Sequence, residues 1–121
     1  ALPIFEHSKR SGVNLTGDIA LALDYILDNL TQELLLEELA DYCGLSISQF
    51  KQKFKDQLGV SPRCFINQQK VESAKTLLLE GMSKTEIAMQ LGFSSSSYFA
   101  AVFKKFTSCT PSEYKNRARN E

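Results

Sequence analysis

The sequence predicts an all-α fold, and three observations carry that expectation. From Thr16 onward apolar residues recur at spacings of three and four, which is the period of one helical face. No alternating run of β-branched residues, the mark of a half-buried strand, occurs in the 121 residues. The chain also repeats itself. At an offset of 48, Leu39-Ala40 matches Ile87-Ala88 and Gly44-Leu45-Ser46 matches Gly92-Phe93-Ser94. At an offset of 49, Phe50 matches Phe99, Phe54-Lys55 matches Phe103-Lys104, Ser61-Pro62 matches Thr110-Pro111, and Phe65 matches Tyr114.

The elements follow in order. Residues 1–15 have no period and carry Pro3, Ser8, Ser11, Gly12 and Asn14, so a linker is expected there. The start has neither an initiator Met nor a signal pattern, which suggests the edge of a longer chain. Ile19, Leu23, Ile26, Leu27 and Leu30 form the stripe of a first helix. A second runs through Leu36, Leu39, Ala40 and Cys43 and stops at Gly44, because glycine accepts the left-handed conformation at a helix end. Its start is poorly signalled: the position matching the Ser83 cap holds Leu35, and Thr31 is an alternative beginning.

Phe50, Phe54 and Leu58 give the third helix its stripe, and Gly59 ends it. Ser61-Pro62 opens a fourth, with Pro at the first helical position where its missing N–H costs nothing, running to about Glu80 and Gly81. Such a helix is roughly 28 Å long at 1.5 Å per residue. Ser83 with Glu86 forms a capping box before Ile87, Ala88 and Leu91, and Gly92 stops that helix. Phe99, Phe103 and Phe106 mark the next, and Thr110-Pro111-Ser112-Glu113 caps the last. Residues 16–60 are thus expected as one subdomain, 61–80 as a linker helix and 81–121 as a second subdomain.

A formal net charge of zero and a pI near 6.8 would argue against a nucleic-acid partner. The distribution reverses that inference. Residues 1–45 hold two basic and eight acidic side chains, a balance of −6, and the rest of the chain carries +6. The longest apolar runs fall far short of the roughly 20 residues that span a bilayer. Cys43, Cys64 and Cys109 are odd in number with no CxxC pair, so neither a disulfide framework nor a zinc site is expected, and a reducing cytoplasm suits them. No metal or cofactor is indicated. Catalysis is not expected either: the one histidine, His7, lies in the linker, and no Gly-rich phosphate loop or nucleophile motif occurs.

Two short helices joined by a Gly-containing turn, the second amphipathic with a basic outer face, make a helix-turn-helix signature. Two copies joined by a helix close to the roughly 34 Å repeat of DNA suggest two recognition helices in successive major grooves of one duplex. The rival reading is a helical protein-interaction module that keeps the helix-turn-helix units as scaffold, and the zero net charge favours it.

At these residues the chain resembles the DNA-binding domain of the AraC/XylS-type transcription regulators. The resemblance covers residues 18–116. It rests most on Ile87-Ala88, Gly92-Phe93-Ser94, Ser97-Tyr98-Phe99, Val102 through Phe106 and Thr110 through Tyr114. It implies seven helices, two helix-turn-helix units on a long linking helix, promoter DNA as partner, and a separate N-terminal effector or dimerisation domain; that domain or RNA polymerase is the partner expected for the acidic first helix. It also sets Lys70 where the family usually has Arg, with a bracing role between the two halves.

Opposite the aromatic stripe of the first recognition helix lie Ser48, Lys51, Gln52 and Lys55. Gln pairs bidentately with adenine and Lys reaches guanine O6 or N7, so Ser48, Lys51 and Gln52 are expected to read bases and Lys55 to meet phosphate. The matching positions of the second are Ser96, Ser97, Ala100 and Ala101, which offer ambiguous hydroxyls and methyl contacts and hence little specificity. That unit is expected to hold the backbone through Ser94, Ser95, Lys104 and Lys105, with Arg63 doing so after the Ser61 cap. The aromatic stripes are expected in the core rather than as stacking platforms. Cys43 should be buried, and Cys109, beside a turn, partly exposed. The acidic first helix should face away from the duplex.

Overall fold

A computed structural model of the chain describes residues 17–119. Among these residues seven helices follow one another without a strand: α1 (Gly17–Asp28), α2 (Leu36–Tyr42), α3 (Ile47–Leu58), α4 (Pro62–Leu79), α5 (Lys84–Gln90), α6 (Ser96–Thr107) and α7 (Pro111–Arg119). The internal repeat reappears as matched lengths, seven residues for α2 and α5 and twelve for α3 and α6. The expected linker at residues 1–15 lies outside the described residues. None of the helices is long and apolar enough to cross a membrane.

The described chain divides into two units, residues 17–29 with 34–64, and residues 30–33 with 65–119. In the first, α1, α2 and α3 pack on one another and bury Ile19, Ala22, Leu23, Ile26, Leu34, Leu39, Ala40, Phe50 and Phe54. The Phe50 and Phe54 rings lie 5.7 Å apart, as core packing requires of neighbours one turn apart. Lys53 Nζ pairs with the Asp18 carboxylate at 2.9 Å, tying α3 to α1.

α2 begins at Leu36, which rules out the earlier start at Thr31. Its cap residue, Leu35, offers no side-chain bond to the first amides, and Glu37 and Glu38 in the first turn supply the negative charge that the helix N-terminus favours. α3 has a full capping box: Ser46 Oγ accepts from Gln49 N–H at 3.2 Å, and Gln49 Oε1 accepts from Ser46 N–H at 3.1 Å. Cys43 is half-buried rather than buried, and its thiol donates to the Asp18 carbonyl at 3.0 Å. Burial first, and the Asp18 charge second, push its pKa up, which favours the neutral thiol over the thiolate.

The second unit closes around Val71, Ala74, Leu78, Ile87, Ala88, Leu91, Phe99, Val102, Phe103 and Cys109, with Phe93, Phe106 and Tyr114 at the edge. Ring contacts run from Phe93 to Phe99, Phe103 and Tyr114, with successive centroids 5.1, 5.8 and 5.5 Å apart. Cys109 is 2% exposed, contrary to the expectation of partial exposure. The Thr107 hydroxyl bridges the turn, donating to the Phe103 carbonyl at 2.8 Å and accepting from the Cys109 N–H at 3.4 Å, and the Cys109 side chain joins the core. α6 ends at Ser108 in the left-handed region, φ 67°, a position with no glycine to announce it.

Candidate nucleic-acid interface

In the first unit the Ser46 capping box sets where α3 starts, and burial of Phe50 and Phe54 sets its rotation. Both follow from local sequence, and together they turn Ser48, Lys51, Gln52 and Lys55 outward, all four exposed. These side chains line a concave face of about 500 Å³ together with Leu36, Ser61, Pro62 and Arg63. Three cations therefore converge on one concavity whose lining has no carboxylate. Arg63 is half-buried and donates through Nη2 to the Leu34 carbonyl at 2.7 Å. That bond uses one of the five guanidinium N–H groups and fixes the plane from which the others are offered. Gln52 Nε2 donates to Asp56 Oδ1 at 2.9 Å, which holds the amide of the expected adenine reader at the helix surface and leaves its second N–H for a base.

The second unit is equipped differently. Along α6, Ser97, Ala101, Lys104 and Lys105 are exposed, whereas Ser96 and Ala100 are half-buried. Ser94 is exposed. Ser95 is the cap of α6, its hydroxyl accepting from the Tyr98 amide at 3.0 Å, so its oxygen serves the helix start. The exposed stripe also includes a residue not singled out as a reader: Tyr98 is 43% exposed and accepts a hydrogen bond from Asn67 Nδ2 at 3.3 Å. Its spacing of three and seven from Ala101 and Lys105 is legible in the sequence, but an aromatic beside the Phe99–Phe103 stripe reads equally well as core.

Lys70 is 2% exposed and takes no part in a DNA-facing surface. Its Nζ donates to the Gln32 carbonyl at 2.6 Å and to the Leu91 carbonyl, and lies 5.5 Å from the centre of the Phe93 ring. The brace thus joins residues 30–33 to the turn after α5, all within the second unit, rather than joining two halves.

Residues 39–117 match the family described as helix-turn-helix domain. An HTH-type transcriptional regulator of Staphylococcus aureus is 38% identical over 115 residues, which is 94% of this chain and 15% of that protein. The C-terminal domain of AraT, a response regulator from Geobacillus stearothermophilus, is similar at a TM-score of 0.81 and 28% identity, over 86% of this chain and 88% of that one. The DNA-binding domain of AdpA, a global transcriptional factor solved in complex with a target DNA, shares the fold at a TM-score of 0.80 and 24% identity, over 87% of this chain and 96% of that one.

Proposed function

The chain belongs to the AraC-type helix-turn-helix domain family, whose members are DNA-binding domains of transcription regulators, and from that membership we propose that it reads a promoter duplex with α3 and α6 in successive major grooves. Specificity resides mainly in the first unit, where Lys51 and Gln52 read bases, with Ser48 at the edge, and Lys55 and Arg63 hold phosphate. The observation that carries this is the concave face collecting Ser48, Lys51, Gln52, Lys55 and Arg63 without a carboxylate in its lining. The second unit holds the backbone through Ser94, Ser95, Lys104 and Lys105. Its base contacts are limited to the hydroxyls of Ser96 and Ser97 and the methyls of Ala100 and Ala101.

Within a longer regulator the domain acts in the cytoplasm, on the nucleoid when bound, alongside an N-terminal effector or dimerisation domain and with RNA polymerase as a protein partner. The test is selection of bound sequences from a random duplex library, repeated with two variants. Two half-sites about one helical turn apart are expected. Gln52→Ala should cost about 1–3 kcal/mol and relax discrimination at one or two base pairs, and Ser97→Ala should leave the selected sequence unchanged. A single short site, or a larger effect from Ser97 than from Gln52, contradicts the assignment.

A further inference from the structure

The second unit has few side chains suited to gripping a duplex, yet α6 begins with an exposed aromatic whose hydroxyl is already engaged from beneath. We propose that the Tyr98 phenol is a further DNA contact, donating its hydrogen to a phosphodiester oxygen, and that Asn67 is the residue that positions it. This rests on the reading above that the exposed stripe of α6 faces DNA.

Three observations converge on it. Tyr98 shares a stripe with Ala101 and Lys105 at spacings of three and seven, so its ring stands on the face that carries the unit's exposed cations. Asn67, on α4, is 8% exposed and donates Nδ2 to the phenol oxygen at 3.3 Å. A phenol has one hydrogen to give and an oxygen that accepts. With the oxygen's acceptor side taken by Asn67, the O–H is left to donate outward. The ring is held as well: Phe93 meets it edge-on at 5.9 Å between centroids, and Phe93 itself packs on the buried Phe99 at 5.1 Å. The donor is therefore oriented before any ligand arrives, which lowers the ordering cost of a contact.

The chemistry selects phosphate over a base edge. Tyr98 lies in the first turn of α6, at the positive end of the helix dipole, and Lys105 shares its stripe; both favour an anion. A neutral O–H donor to phosphate adds affinity without releasing a counterion, and this separates it from the lysines.

The experiment is a titration of the chain with the duplex recovered by selection and with a random duplex, each across a salt series, for wild type, Tyr98→Phe, Asn67→Ala, the double variant and Lys104→Ala. Tyr98→Phe keeps the ring and its Phe93 contact, and thermal melting of each variant reports the fold. The expected result is an affinity loss of about tenfold for Tyr98→Phe on both duplexes with the salt slope unchanged, against a slope smaller by about one for Lys104→Ala. Asn67→Ala should lose part of that factor, and the double variant should bind no worse than Tyr98→Phe alone. Wild-type affinity in Tyr98→Phe would overturn the contact. A loss confined to the selected duplex would overturn the phosphate assignment, and an additive double variant would overturn the role of Asn67. A wild-type chain that shows no preference for any duplex would instead overturn the reading on which the inference rests.

Discussion

A charged side chain at 2% exposure is the most consequential residue-scale feature of the second unit. Burying the Lys70 ammonium costs free energy unless polar partners replace water, and here the Gln32 and Leu91 carbonyls and the Phe93 ring do so. Leu91 caps the C-terminal end of α5, where the helix dipole favours a cation. The same turn contains Gly92, which differs from its repeat partner Gly44 in a way the sequence hides. Both have φ near +71°, but a Cβ at Gly44 would meet nothing within 4 Å, whereas at Gly92 it would collide with the backbone of Gln32 and Glu33. Gly44→Ala should therefore cost only the left-handed penalty, about 1–2 kcal/mol. Gly92→Ala should cost that and about 1–3 kcal/mol more from overpacking. Chemical denaturation of the two variants checks this, and equal losses would contradict the close approach.

At the scale of elements, the boundaries most legible in the sequence are those written as short-range chemistry. Ser83 with Glu86 and Thr110 with Glu113 both form the reciprocal boxes their spacing predicted. The box at Ser46 and Gln49 is equally legible as a Ser followed three residues later by Gln, directly after the Gly44 turn. The start of α2 was not legible, since no side chain caps it and tertiary packing decides it. One box carries a pH dependence. Glu113 Oε1 accepts the Thr110 amide at 2.8 Å, and that bond first, then the Thr110 side chain, lowers the Glu113 pKa. A carboxylate with a lowered folded pKa adds stability that is present above its ordinary range and lost as pH falls through the folded value. Wild type should melt above Glu113→Gln at neutral pH, and the two melting temperatures should converge on acidification. A constant gap down to acid pH would show that the charge contributes nothing.

For the whole molecule, net charge zero is the sum of −6 over residues 1–45 and +6 over the rest of the chain. In the first unit, Leu21, Tyr25 and Asp28 of α1 lie along one stripe and Glu38 and Tyr42 of α2 along another, joined by the Tyr25–Tyr42 ring contact at 4.9 Å. None of these residues lines the concave basic face. Charges more than about 10 Å apart across solvent are largely screened at ordinary salt, so Asp28→Lys with Glu38→Lys should leave duplex affinity within about twofold of wild type. A tenfold loss of DNA affinity would place the acidic face against the duplex instead.

The sequence by itself determined the all-α class, the duplicated helix-turn-helix unit, most helix ends and the outward face of α3, because each depends on period, caps and glycines acting within a few residues. Only the tertiary structure decided which reader positions are exposed, since Ser96 and Ala100 share the α6 surface with Ser97 and Ala101 and are separated from them by packing alone. It also decided that Lys70 is buried, that Cys109 points inward, and that Tyr98 is held by Asn67 from 31 residues away. Contacts between distant segments depend on how helices pack, and no local spacing in the chain encodes them.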